Sequence, residues 1–137
     1  VGLGTDGMSS DMPAQMRCSY LVHRLAERDP RVAFVEAPTL LLWNNAQIAN
    51  RFFPVTLGVL QPGAAADLAI LDYDPPTVLS ADNFLGHFIF GLVDATVDTT
   101  IAAGRILMRD KRIVALDEER IAARSRELAS QMWQRIS

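Results

Sequence analysis

The apolar rhythm of this chain changes once, near Leu57, and that change limits the folds open to it. Upstream, apolar residues recur at helical spacing. Asp11 is placed to cap a helix carrying Met16, Tyr20, Leu21 and Leu25, which Asp29-Pro30 ends. Pro38 falls in the first turn of a second helix ending near Trp43. Asn44 or Asn45 caps a third, short helix through Ala49 to Phe53, and Pro54 stops it. Downstream, turns and short strands take over. Gln61-Pro62-Gly63 is a turn signal, and the apolar run from Ala66 to Leu71 reads as a strand covered on both faces, broken by Asp74-Pro75-Pro76. The segment from Asp82 to Gly91 reads as a loop or short helix packed across a sheet. Val93 to Asp98 alternates with period two, as a half-exposed strand does, and Thr100 to Met108 reads as two strands around an Ala103-Gly104 hairpin turn. Asp110-Lys111 turns the chain into Ile113-Val114. A last helix opens at Asp117, with Glu118 and Glu119 in its first turn, Leu116 and Ile121 at staple positions, and one apolar stripe of Ile121, Leu128, Met132 and Ile136.

Composition removes several function classes. The chain has 137 residues, one domain's worth, and is 50% hydrophobic and 21% charged, which excludes a disordered chain. Its unbroken apolar runs, such as Leu40-Leu41-Leu42-Trp43, reach only four residues, far too short for a membrane span. Thirteen Lys and Arg against sixteen Asp and Glu leave a net charge of −3, and no basic stripe stands out to neutralise the phosphates of a nucleic acid. The single cysteine, Cys18, excludes a disulfide framework and a cysteine-built zinc site, and fits a reducing, cytoplasmic setting. The opening Val1-Gly2-Leu3-Gly4-Thr5-Asp6-Gly7 reads as a strand running into a loop corner. With the positive mean hydropathy, it predicts a fragment whose N-terminal part held most of the fold.

One segment invites a catalytic reading. A carboxylate such as Asp6 at the C-terminal end of a barrel strand points into the mouth where active sites are built, and Gly4 and Gly7 let the backbone approach a metal or substrate closely. Taken by itself, Asp before Gly is also an ordinary turn, and both readings stand. The other candidates read as structural. His23 falls mid-helix as a surface or packing residue, and His87 as a hydrogen-bonded residue where its loop crosses the sheet. Ser9-Ser10 lacks a nucleophile elbow, and Cys18 reads as a small buried hydrophobe. Asp72, Asp74 and Asp82 read as a solvated turn. Met8, Met12 and Met16 read as core or barrel-mouth lining, and Arg120, Arg124 and Arg126, balanced by Glu118, Glu119 and Glu127, as a solvated helix face.

Three segments, in this order, resemble the amidohydrolase superfamily, in particular its aminohydrolase and chlorohydrolase branch. Gly2-Leu3-Gly4-Thr5-Asp6-Gly7 resembles the end of the eighth barrel strand, where the family places its last metal-ligating Asp. The stretch from Asn44 through Ala66-Asp67-Leu68 to Asp72 resembles the family's "ADL" return strand, and Val97 to Leu107 its final hairpin. Asn83, Gly86-His87 and Phe90-Gly91 look nearest to the aminohydrolases linked to selenium metabolism. Ala64 stands where many relatives have Lys, and Asp11 where many have Asn, in the loop after the metal Asp.

The resemblance implies a metal-dependent hydrolase of non-peptide C–N bonds, most simply a deaminase of a cyclic amidine or related heterocycle. It implies one divalent ion, zinc or iron, held by three histidines and the Asp matching Asp6. The metal would lower the pKa of its water, Asp6 would take the proton, and hydroxide would displace ammonia from the ring. The chain's two histidines stand in no HxH pair, so the remaining ligands and the acid Glu are expected in a missing part, with no metal held tightly by this chain alone. The fold expected is an α+β fragment of an α/β protein: residues 1–56 as the end of the last strand of a TIM-like barrel and the following helices, 57–116 as strands of a small composite β-domain, and 117–137 as a C-terminal helix. Expected partners are a small heterocyclic substrate and further copies of the chain. The rival reading is a non-catalytic α+β module for binding or dimerisation.

Overall fold

The computed structural model describes residues 1–7 and 9–136, so Met8 in the expected methionine series lies outside the described residues. Helix α1 (Met12–Glu27) begins where the sequence places it. Asp11 is extended, and its carboxylate accepts a hydrogen bond from the Ala14 N–H at 2.9 Å, while Pro13 sits in the first turn, where its missing N–H costs nothing. Arg28, with φ of +54°, ends it in the left-handed conformation. Its inner face carries Met16 and Tyr20, both buried, whereas Leu21 and Leu25 are 57% and 79% exposed. Cys18 is exposed as well, a correction to its reading as a buried residue. It lies two residues past Met16, across the helix from the buried face. Arg24 lies 4.0 Å over the Tyr20 ring and donates from Nε to the Val32 carbonyl at 3.1 Å, folding the next segment back onto the helix.

The second and third helices form one rod rather than two. Helix α2 (Glu36–Thr39) passes through a π-helical stretch (Leu40–Asn44) into α3 (Asn45–Ala49), with Asn44 and Asn45 both right-handed helical. Neither asparagine makes a side-chain cap bond, which corrects their expected role. The rod closes at Ala49, short of Phe53, where Arg51 and Phe52 N–H groups turn to the carbonyls of Ile48 and Ala49.

The core lies among helices. Met16, Tyr20, Ala33, Ala37, Phe88 and Ile89 form it, with Leu3, Leu41 and Leu42 packed against it. Helix α4 (Phe84–Phe90) supplies Phe88 and Ile89, so it packs into this cluster rather than across the sheet as expected. The reason is complementarity: Ile89 finds fully buried company in Met16, and Tyr20 meets Phe90 edge-on at 5.8 Å. Arg17 of α1 bonds Asp94 of the following 3-10 turn (Leu92–Asp94) at 2.7 Å.

That bond gives a pH prediction. Hydrogen bonding to Arg17 holds the Asp94 carboxyl below its ordinary value near 3.9. The stability it lends is therefore complete above about pH 4–5 and fades as pH falls through the lower folded value. Asp94→Asn is expected to remove this part of the acid limb in unfolding midpoints measured from pH 7 to pH 2. An unchanged acid limb would show that the pair contributes nothing.

The β half is an antiparallel meander of β1 (Leu68–Asp72), β2 (Thr96–Ala102), β3 (Arg105–Arg109) and β4 (Arg112–Ile113), in that spatial order. The β2–β3 hairpin turns at Ala103 (φ +48°) and Gly104 (φ +74°), and β3–β4 at Asp110 and Lys111 (φ +51° and +63°). Two successive left-handed residues match the strands' twist. The expected strand over Val93–Asp98 starts later, at Thr96, because Leu92–Asp94 stays helical. The Asp67 carboxylate accepts from the Ala103 N–H at 2.7 Å, tying the start of β1 to the hairpin tip. Strand β1 is not covered on both faces: Leu68 and Ile70 are 38% and 50% exposed. Its apolar run reflects composition, and burial needs a second layer on each side.

Helix α5 (Glu118–Ile136) opens as expected, the Asp117 carboxylate accepting from the Arg120 N–H at 3.0 Å. None of its described side chains is buried, so the stripe of Ile121, Leu128, Met132 and Ile136 faces solvent. The Arg124–Glu127 pair at 2.7 Å bears out the solvated charged face. Among the described residues no helix is long and apolar enough to cross a membrane.

Candidate functional site

Asp6 stands at a sharp corner. Among the described residues the segment before it pairs with no strand, and Asp6 itself is left-handed, with φ of +50°. Asp tolerates that conformation better than bulkier residues do. The corner is set from both sides. Downstream, Asp11 caps α1 and its N–H approaches the Ser9 hydroxyl at 3.3 Å. Upstream, the first helices reach back: the Asn45 side-chain amide donates to the Leu3 carbonyl at 2.9 Å and accepts from the Leu3 N–H at 2.8 Å. Asn44 donates to the Val1 carbonyl at 2.7 Å. The Asp6 side chain is exposed, and no described residue bonds its carboxylate.

The histidines lie elsewhere. His23 is exposed, with Nδ1 2.7 Å from the Ser19 carbonyl one turn earlier in α1. His87 has both ring nitrogens engaged, Nδ1 with the Tyr73 hydroxyl at 2.7 Å and Nε2 with the Thr77 hydroxyl at 3.1 Å. This is the hydrogen-bonded structural histidine the sequence led us to expect, set in a helix rather than a loop. Gly91 makes room for it, since a Cβ there would strike the Tyr73 hydroxyl. Asp72 ends β1 rather than lying in a turn, and pairs with Lys111 at 2.8 Å. Among the described residues no group of three His, Cys, Asp or Glu side chains is placed to hold a metal ion.

An exposed carboxylate at a left-handed corner, with no bond to another described residue, fits one oxygen ligand of a divalent ion but not a whole site. Beside the corner's anchor runs an apolar groove of about 740 Å³, lined in part by Met12, Leu42, Asn45, Leu57, Leu68 and Phe88.

Residues 1–107 match the sequence profile of the Amidohydrolase family. The chain belongs to that family. A 5-methylthioadenosine/S-adenosylhomocysteine deaminase of Pelotomaculum thermopropionicum is 32% identical over 98% of this chain and 32% of its own length. One of the same name from Thermococcus onnurineus is 34% identical over 82% of this chain and 27% of its own. A 5'-deoxyadenosine deaminase of Methanosarcina mazei is 29% identical over all of this chain and 32% of its own. This chain thus spans about a third of the length of these relatives. The superfamily resemblance read from Gly4-Thr5-Asp6-Gly7, the Asp67-Leu68 return strand and the final hairpin is borne out.

Sequence reasoning missed Asn45. It was read as a helix cap, and an Asn-Asn pair inside a helical pattern carries no signal for a partner more than forty residues away.

Proposed function

We propose that this chain is part of a divalent-metal hydrolase that removes the exocyclic amine of an adenine-type nucleoside. The observation that supports it most is that deaminases of adenosine derivatives match nearly the whole chain within the amidohydrolase family. On this reading, residues 1–56 are the end of the last strand of a TIM-like barrel and the helices after it, 57–116 belong to a small β-domain, and 117–137 form the helix that follows. Leu3 supports the first point. Its N–H and C=O are both taken by the Asn45 side chain, as they would be by one residue of a paired strand.

Asp6 holds two tasks. Its carboxylate gives the metal an oxygen ligand and accepts the proton of the attacking water. A bound zinc or iron ion supplies a lowered pKa for that water, with imidazoles from the rest of the protein completing its coordination. The proposed setting is cytoplasmic. Self-association into a homo-oligomer is supported by exposed apolar side chains such as Leu25, Phe52 and Leu60, at 79%, 78% and 88%.

The test is ammonia release by the whole protein from 5'-methylthioadenosine, S-adenosylhomocysteine and 5'-deoxyadenosine, followed with the absorbance change from adenine to hypoxanthine. Stoichiometric ammonia with an intact purine is expected. Ring opening without ammonia would replace the deaminase by a hydrolase of ring amides.

A further inference from the structure

Two asparagines, one in the rod and one just past its end, do the same thing to different segments. Asn45 holds the Leu3 backbone through both its N–H and its carbonyl. Asn50, just beyond the rod's end, holds Leu57 in the same way, accepting from its N–H at 2.8 Å and donating to its carbonyl at 3.1 Å. A side-chain amide used so imitates one residue of a neighbouring strand. The two clamps differ in what they hold. Leu57 leads into the turn before the sheet, whereas Leu3 lies three residues before Asp6.

Further observations show that the Leu3 clamp is built. Asn44 adds a bond to the Val1 carbonyl, two residues before Leu3. Gly2, between them, is packed so closely that a Cβ would strike the Asn45 side-chain oxygen and the Ile48 methyl. The widened π-helical turn immediately before α3 resets the face on which the asparagines emerge. Residues 1–3 are therefore fastened to a helix packed on the core.

We propose that Asn45 is a positioning residue for the Asp6 carboxylate: its two-point hold on Leu3 fixes the approach of the chain to the corner that presents Asp6. The proposal rests on the reading of Asp6 as a metal-ligating carboxylate. Asn45 touches neither substrate nor metal. Its effect is preorganisation, so losing it lets Asp6 sample orientations that do not ligate, which weakens metal retention while leaving the ligand chemistry unchanged.

The experiment uses the whole protein, with zinc alone as the probe. Zinc affinity is measured by chelator competition, Leu3 amide exchange by NMR or mass spectrometry, and kcat and KM separately. Asn45→Ala is expected to weaken zinc binding by about 10–100-fold, to speed Leu3 exchange, and to lower kcat more than it raises KM. Gly2→Ala, which leaves Asn45 in place but displaces its amide, is expected to act in the same direction and keeps the test open if Asn45→Ala folds poorly. Asn50→Ala breaks the matching clamp on Leu57 and is expected to leave zinc affinity within about two-fold. Equal losses in Asn45→Ala and Asn50→Ala would overturn the proposal, as would wild-type zinc affinity in both Asn45→Ala and Gly2→Ala. Asp6→Asn separates the two readings: if it loses zinc while the clamp variants keep it, the positioning role alone fails. If Asp6→Asn keeps zinc, the metal assignment fails and this role with it.

Discussion

Replacing Asp6 by Asn in the whole protein is expected to lower turnover by about 10²–10⁴-fold, the usual worth of a positioned general base, with weaker metal retention adding to the loss. Asn keeps the shape and the tolerance for the left-handed corner at φ +50°, so the fold should survive. What disappears is the negative charge and the acceptor for a proton. Two readouts check this: kcat/KM on an adenine nucleoside, and metal content after dialysis. Turnover within a few-fold of the parent, with full metal occupancy, would remove Asp6 from the site. The 137-residue chain alone is expected to show neither turnover nor sub-micromolar zinc binding, because catalytic zinc sites need about three protein ligands.

Met16→Ala is expected to cost about 2–5 kcal/mol, the range for truncating a large buried side chain to Ala. Met16 is fully buried, in one cluster with Tyr20, Ala37 and Ile89 that joins α1, the rod and α4. The consequence reaches the site, since Leu3 packs against the same cluster. Leu25→Ala, on the same helix but 79% exposed, is the control and should change stability by less than about 0.5 kcal/mol. Denaturant midpoints measured for both decide the matter. Equal effects would mean that the cluster is not the core.

Legibility followed the range of the interaction. The start of α1 at Asp11, the Ala103-Gly104 hairpin and the opening of α5 at Asp117 were all readable, and each is settled within a few residues. The second rod was half-readable. Its helical content showed, but the passage of Asn44 and Asn45 through it did not, because their usual preference for caps competes with distant backbone partners. The packing of α4 and the exposure of β1 were misread for a related reason: an apolar run states that a segment would gain from burial, not which surface supplies it.

The candidate site divides in the same way. Gly4-Thr5-Asp6-Gly7 and the Asp67-Leu68 strand carry the family in their residue order, so the sequence by itself determined the family and the carboxylate to examine. The tertiary structure decided what holds the Leu3 backbone: Asn45, 42 residues away. It also decided that His87 is bonded to Tyr73 and Thr77. Caps and turns are local equilibria of a short peptide, legible in its composition. A side-chain amide reaching a distant backbone exists only after two helices and a core have brought the groups within 3 Å, and no short-range pattern encodes that meeting.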